Sequence, residues 1–117
     1  MTDAIPSDGF IHVFHSSHKQ NAVNRAESAI RLGALRCMPD AQLILFGSRA
    51  RGDAHRRSDF DLAFKPKPGF RDEQFIEFEE YLEQSSDLIY PVDLVDWRTA
   101  PRSLLDRITA EGVLWKE

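Results

Sequence analysis

The sequence has little of what a secreted, membrane-bound or disulfide-stapled protein needs. One cysteine, Cys37, in 117 residues excludes an intrachain disulfide and fits a reducing compartment. No apolar run approaches the roughly 20 residues that a membrane-spanning helix requires. The opening MTDAIPSDGF has no basic stretch followed by an apolar one, so it does not read as a secretory signal. Excess positive charge is missing as well. The formal net charge is −4, which excludes a general attraction to nucleic acid or anionic lipid and leaves any such binding local. There are no internal repeats and no low-complexity segments. What is present is ordinary globular composition: 42% hydrophobic and 29% charged residues argue against disorder. The length suits one domain that buries a core without a metal or disulfide staple. The expectation is a soluble cytoplasmic domain.

Residues 1–16 are of mixed polarity, with Pro6 and Gly9, and read as an N-terminal leader or short strand. SHKQ at 17–20 reads as a capping box, Ser17 being the N-cap and Gln20 following three later. Ala22, Val23, Ala26, Ile30, Gly33, Ala34 and Cys37 then recur at steps of three and four, one face of a helix that Pro39 closes. QLILF at 42–46 is short, continuously apolar and ends at Gly47, the pattern of a buried strand. SDFDLAFK at 58–65 alternates, setting Phe60, Leu62 and Phe64 against Asp59, Asp61 and Ala63. After the break KPKPG, residues 71–86 return to helical spacing. Phe75, Phe78, Tyr81 and Leu82 fall in a stripe about 120° wide, and Asp72, Glu73, Glu77, Glu79, Glu80 and Glu83 make the rest acidic. YPVDLVDW at 90–97 alternates again, Val92 and Leu94 against Asp93 and Val95. Pro101 starts a last helix with Leu104, Leu105 and Ile108 buried and Gly112 as its stop; VLW adds a short edge strand. Residues 17–117 therefore read as a single α/β (α+β) domain, a small mixed sheet of about three to four strands packed on helices.

The chemistry concentrates in LFGSRARGDAHRRSDFDLAF, residues 45–64. Asp59 and Asp61, two apart on a strand, point to the same side roughly 6.5–7 Å apart, and they repel unless a cation lies between them. Mg²⁺ is such a cation: it takes oxygen ligands from one or two carboxylates together with substrate phosphates. A glycine after a strand, here Gly47, lets backbone N–H groups approach a phosphate, and Ser48 adds a hydroxyl. Arg49 and Arg51 suit the same oxygens. Arginine for phosphates beside aspartate for a metal is what a metal–triphosphate complex asks for. Taken singly, a D-x-D is most often solvated and a G-S is a plain strand–turn–helix junction. The combination is far more specific: G-S, ten residues, then D-x-D.

With these residues the chain resembles the nucleotidyltransferase superfamily of DNA polymerase β, and more narrowly its minimal nucleotidyltransferases, the MNT domains encoded beside HEPN or HEPN-like helical partners. GSRARGDAHRRSDFDLAF matches that pattern throughout, and the broader similarity spans about residues 20–115. The resemblance implies a polymerase β-like fold and a third carboxylate in a segment like VDLV, which is Asp93 here; strand parity agrees, and it sets Asp96 on the opposite side as a solvated strand-end residue. It further implies transfer of a nucleoside monophosphate, AMP from ATP, to a hydroxyl. Asp59, Asp61 and Asp93 hold two Mg²⁺ ions, Gly47 and Ser48 bind phosphates, and Arg49 or Arg51 takes charge on the pyrophosphate. The acceptor it implies is a tyrosine of a four-helix HEPN-type partner, neutralised as a toxin by this chain as antitoxin. Two other functions stay open: a non-catalytic antitoxin that binds its partner, and transfer to RNA, against which the net charge of −4 counts. So short a chain leaves base and acceptor recognition to that partner or to a second copy in a dimer.

The remaining conspicuous residues have plain readings. His12, His15 and His18 step by three without apolar helical support, so zinc is not expected; His55 is solvated in the basic loop. Arg56 and Arg57 are solvated or face a partner. Cys37 is a core thiol. Trp97 and Trp115 pack or serve an interface, and the acidic helix is a solvated face, with Ile76 off its apolar stripe as a hint of a second contact.

Overall fold

The computed structural model describes residues 7–55 and 57–117, with side chains from residue 20 onward. Eight elements follow in order: α1 (Ser7–Cys37), β1 (Ala41–Phe46), α2 (Ser48–Arg51), β2 (Phe60–Pro66), α3 (Asp72–Gln84), β3 (Val92–Asp96), α4 (Arg102–Glu111) and β4 (Val113–Lys116). The strands form one mixed sheet in the order β3-β2-β1-β4. β1 is antiparallel to both β2 and β4, and β2 is parallel to β3.

α1 departs from the sequence expectation. It is helical from Ser7, so Ser17 lies inside it and is not a cap, and residues 7–16 are neither strand nor irregular leader. A capping box works only where the chain is non-helical at the serine. No proline stands between Pro6 and Pro39 to stop the helix from running through. The side chains of His12, His15 and His18 lie outside the described residues, as does Arg56.

The sheet buries both faces, unequally. On one, Ala26, Ile30 and Ala34 of α1, Met38 just after it, and Phe78 and Leu82 of α3 pack on Leu43, Leu45, Phe60, Leu62 and Phe64. Phe75 stacks on Phe64 with ring centroids 4.8 Å apart. Each large apolar side chain buried there is worth about 1.5–3 kcal/mol of transfer free energy, so this face supplies most of the stability. The other face carries a smaller cluster: Phe46, Ala63 and Ile108, ringed by Ile44, Val95, Trp97 and Leu104. α4 is its cover. Leu105 of α4, expected in the buried face, is only half-buried.

Two smaller differences have physical causes. Gln74, in the acidic helix α3, is buried because its amide answers Asp40 twice, donating to Oδ2 at 3.0 Å and accepting the backbone N–H at 3.3 Å. Gly112 ends α4 in an extended conformation, φ −71° and ψ 149°, because the chain turns there straight into β4. Trp97 and Trp115 pack against the sheet, and Cys37 lies half-buried beside the core with its thiol pushed up, first by burial. Among the described residues no helix is long and apolar enough to cross a membrane.

Candidate active site

β2 and β3 run parallel with Asp61 opposite Asp93. Paired residues of neighbouring strands point to the same face and lie about 4.8 Å apart. That face is the one α4 covers, since Ala63 and Val95, each two residues on, sit in its cluster. Asp59 stands just before β2 with the parity of Asp61 and is exposed. Three carboxylates thus gather at one end of the less covered face. Their mutual effect is visible at Asp61, whose carboxyl is pushed above the ordinary range, first by burial and then by the charges of Asp93 and Asp59. Arg107 and Arg51 pull the other way but do not win.

Gly47 closes this end. Its φ of 78° and ψ of −158° belong to backbone that essentially only glycine adopts. Phe46, its neighbour, is paired with Asp61 across the ladder. A Cβ on Gly47 would lie 3.0 Å from Cγ and 3.1 Å from Cβ of Asp61 and would collide with its carboxylate oxygen. The glycine is therefore needed twice, for its backbone and for the room it leaves. Ser48 begins α2, and its carbonyl accepts the N–H groups of Gly52 and Asp53 at 3.0 and 3.1 Å, closing the turn.

The two candidate arginines part company. Arg51 Nη1 donates to Glu111 Oε2 at 3.0 Å, and its Nε donates to Asp53 at 3.2 Å. Arg49 donates from Nε and Nη2 to the Ser58 carbonyl at 3.0 and 2.7 Å. Its guanidinium also lies 4.4 Å from the Phe60 ring centroid and 4.8 Å from that of Tyr90. Phe60 faces the α1–α3 side, so Arg49 is turned away from Asp61. Two residues on a helix project about 200° apart, and that alone keeps Arg49 and Arg51 from sharing one anion. Arg49 instead straps the loop that leads into Asp59. Within that loop the Ser58 hydroxyl accepts the His55 N–H at 2.9 Å, while His55 and Arg57 are exposed.

Asp96 has the parity of Phe64 and stays out of the group, as expected. It is not simply solvated, however. Arg98 donates to it from Nη2 at 2.8 Å and from Nε at 3.1 Å, which holds its carboxyl below the ordinary range.

Two site residues carry no sequence signal of their own. Glu111 accepts the Gly47 N–H at 3.2 Å and Arg107 Nε at 3.3 Å, besides Arg51. Arg107 lies over Phe46, 5.8 Å from its ring centroid, on the face of Asp61. In the sequence they form an ordinary i,i+4 pair; their role follows from where α4 crosses the sheet.

Asp59, Asp61 and Asp93 make no hydrogen bond or ion pair with another described side chain. Repelling carboxylates without a partner suit a hard dication. Among the described residues no three histidine, cysteine or acidic side chains close into a metal cage. The donor set is instead an open one, as in Mg²⁺ sites that complete their coordination with phosphate and water.

The sequence model described as Polymerase beta, Nucleotidyltransferase matches residues 41–117, which span β1 to β4 and hold every one of these groups. The chain belongs to this nucleotidyltransferase family. No curated protein sequence matches it. Among solved structures it is similar to a toxin–antitoxin protein crystallised with AMP-PNP, at 30% identity and a TM-score of 0.60, over 76% of this chain and 71% of that one. A mutant of the toxin–antitoxin MntA–HpeT is 27% identical with a TM-score of 0.59, over the same shares of 76% and 71%. The complex of a tri-AMPylated Shewanella oneidensis HEPN toxin with its MNT antitoxin shares the fold, at 24% identity and a TM-score of 0.54 over 83% and 71%. By family and fold this is an MNT-type nucleotidyltransferase with an α+β architecture.

Proposed function

We propose that this MNT-type chain is a Mg²⁺-dependent cytoplasmic enzyme that transfers AMP from ATP to a tyrosine hydroxyl of a HEPN-type helical partner and so acts as an antitoxin. The observation that carries it is the juxtaposition of Gly47 with Asp61 and of Asp61 with Asp93 at one sheet end. The toxin–antitoxin protein seen with AMP-PNP, at 30% identity, supports a nucleotide substrate. The fold shared with an antitoxin whose HEPN toxin is tri-AMPylated suggests the acceptor to test.

Asp59, Asp61 and Asp93 would hold Mg²⁺, whose chemistry when bound is to neutralise the triphosphate and lower the pKa of the acceptor hydroxyl. The Gly47 N–H, the Ser48 hydroxyl and Arg51 bind phosphate oxygens and stabilise the charge that grows on the departing pyrophosphate. With no Cβ on Gly47, the Asp61 carboxylate packs directly against the backbone whose N–H is assigned to phosphate, which brings the metal-binding and phosphate-binding groups together. Arg49 is a positioning residue in this scheme: by holding the Ser58 carbonyl it fixes the chain immediately before Asp59.

The test is intact mass of the helical partner after co-expression with this chain, wild type beside the double variant Asp59→Asn/Asp61→Asn. Addition of one or more AMP units with wild type only is the expected result. A stable complex with no added mass in either case would replace catalysis by neutralisation through binding. Label from α-labelled ATP recovered on RNA would replace the protein acceptor.

A further inference from the structure

α4 ends inside the site. The side chain of its last residue, Glu111, is only 15% exposed. Oε1 accepts the Gly47 N–H at 3.2 Å, Arg107 Nε at 3.3 Å and Arg51 Nη1 at 3.2 Å; Oε2 accepts Arg51 Nη1 at 3.0 Å. A backbone amide and two guanidinium groups around one anion make a seat for an oxyanion, and here the chain fills that seat itself. The seat's donors also hold the Glu111 carboxyl below its ordinary range, Arg51 first, so it stays ionised at neutral pH.

Two of those donors, the Gly47 N–H and Arg51, are the ones assigned above to phosphate oxygens. One N–H cannot satisfy two anions, and a phosphate placed against an ionised carboxylate meets like charge. Glu111 and the triphosphate therefore exclude each other. The helix end has no slack to swing aside. The Gly112 N–H donates to the Ile108 carbonyl at 2.8 Å. A Cβ on Gly112 would already lie 2.7 Å from Ile44 Cγ2, so the backbone rests directly on β1. The Glu111 side chain, with its own rotatable bonds, is the part free to leave.

We infer that Glu111 is an internal competitor for the nucleotide's phosphate, displaced by side-chain rotation when the Mg²⁺ nucleotide binds, handing the Gly47 N–H, Arg51 and Arg107 to the phosphate. The inference rests on the nucleotidyltransferase reading of the site. It makes Arg107 a third phosphate-facing group, and it gives the free protein a filled, ordered cradle in place of an Arg107 with no carboxylate partner and an Arg51 left with Asp53 alone.

The experiment is calorimetric titration of the full chain with AMP-PNP in Mg²⁺, for wild type, Glu111→Gln and Glu111→Ala. Loss of a carboxylate held by charge-assisted hydrogen bonds should tighten binding about tenfold in Glu111→Ala and by a smaller factor in the isosteric Glu111→Gln. A second readout separates competition from a merely structural role. Glu111→Ala should melt below wild type without nucleotide, and the gap should close at saturation, because the bound wild type no longer uses these contacts. Equal or weaker binding by the variants, with wild type binding normally, overturns the competitor role alone. If Glu111→Ala does not fold, Glu111→Gln carries the same comparison. Absence of AMP-PNP binding by wild type itself overturns the nucleotide site, and this inference with it.

Discussion

Replacing Gly47 with alanine tests the core of the site geometry. Backbone at φ 78° and ψ −158° costs a non-glycine residue about 1–3 kcal/mol. The added methyl also meets the Asp61 carboxylate, with Cγ at 3.0 Å and Cβ at 3.1 Å, and Asp61 cannot move far because its strand is paired on both sides. Strain and collision together place the loss at about 3 kcal/mol, and at about 4 °C per kcal/mol for a domain of this size the melting temperature should fall by about 12 °C. Gly52 is the control. Its φ of 89° and ψ of 7° are left-handed, yet nothing lies within 4 Å of an added Cβ, so Gly52→Ala should cost only about 1 kcal/mol. A double-mutant cycle localises the difference. Asp61→Ala removes the colliding oxygen and Cγ but keeps Cβ, so Gly47→Ala should cost about 1 kcal/mol less in that background. Thermal unfolding by circular dichroism of the four proteins and the control reads all of this. If Gly47→Ala melts within a degree or two of Gly52→Ala, or if the two sites are additive, the close approach of Gly47 to Asp61 is wrong.

Two further outcomes follow from the same contacts. Asp61→Asn should raise the melting temperature at pH 7 by about 2–4 °C, the scale of relieving a like-charge contact in a domain of this size, while abolishing AMP transfer. The sign comes from the raised carboxyl of Asp61, driven by burial and then by Asp93 and Asp59: ionising it opposes folding, the penalty is absent below the ordinary aspartate range, and it is complete once the pH exceeds the raised value. The stability advantage of Asp61→Asn should therefore shrink on acidification and vanish below the ordinary aspartate pKa, at about pH 3, and a constant advantage at all pH values would argue against charge repulsion. For Arg49, loss of two hydrogen bonds to Ser58 and of contact with Phe60 and Tyr90 should cost about 2 kcal/mol in Arg49→Ala. Arg49→Lys should recover little of it, since an ammonium cannot both fork onto one carbonyl and stack between rings; full recovery by lysine would mean that only the charge matters.

Much of this was legible because it is local. The D-x-D spacing, the apolar QLILF before Gly47 and the alternation around Asp93 each depend on residues within one strand, so parity alone carries Asp59, Asp61 and Asp93 to one side. The start of α1 was not, because S-x-x-Q looks the same at a helix start and inside a helix that runs on. Nor could Glu111 be found: it lies 64 residues from Gly47, and only the path of α4 over the sheet brings them together. The arginines fall between these cases. Arg49 and Arg51 look alike beside a glycine, yet their separation on the short helix α2 already assigns them to opposite sides.

The uneven burial of the sheet explains how the chain tolerates such a site. Three repelling carboxylates and a glycine held in a strained conformation all sit on the face that, among the described residues, the ten-residue α4 covers. The opposite face, with α1, α3 and the buried rings of Phe60, Phe64 and Phe78, bears the stability without contributing a catalytic group. β2 joins the two roles, since alternate residues of one strand anchor the core through Phe60, Leu62 and Phe64 and present Asp61 to the site. A strand pinned by its neighbours on both edges and by three large side chains on one face has no freedom to separate its carboxylate from Asp93. The repulsion is therefore held in place for a cation to relieve, while the charge that can move, the Glu111 carboxylate, does so by side-chain rotation at the fixed end of α4.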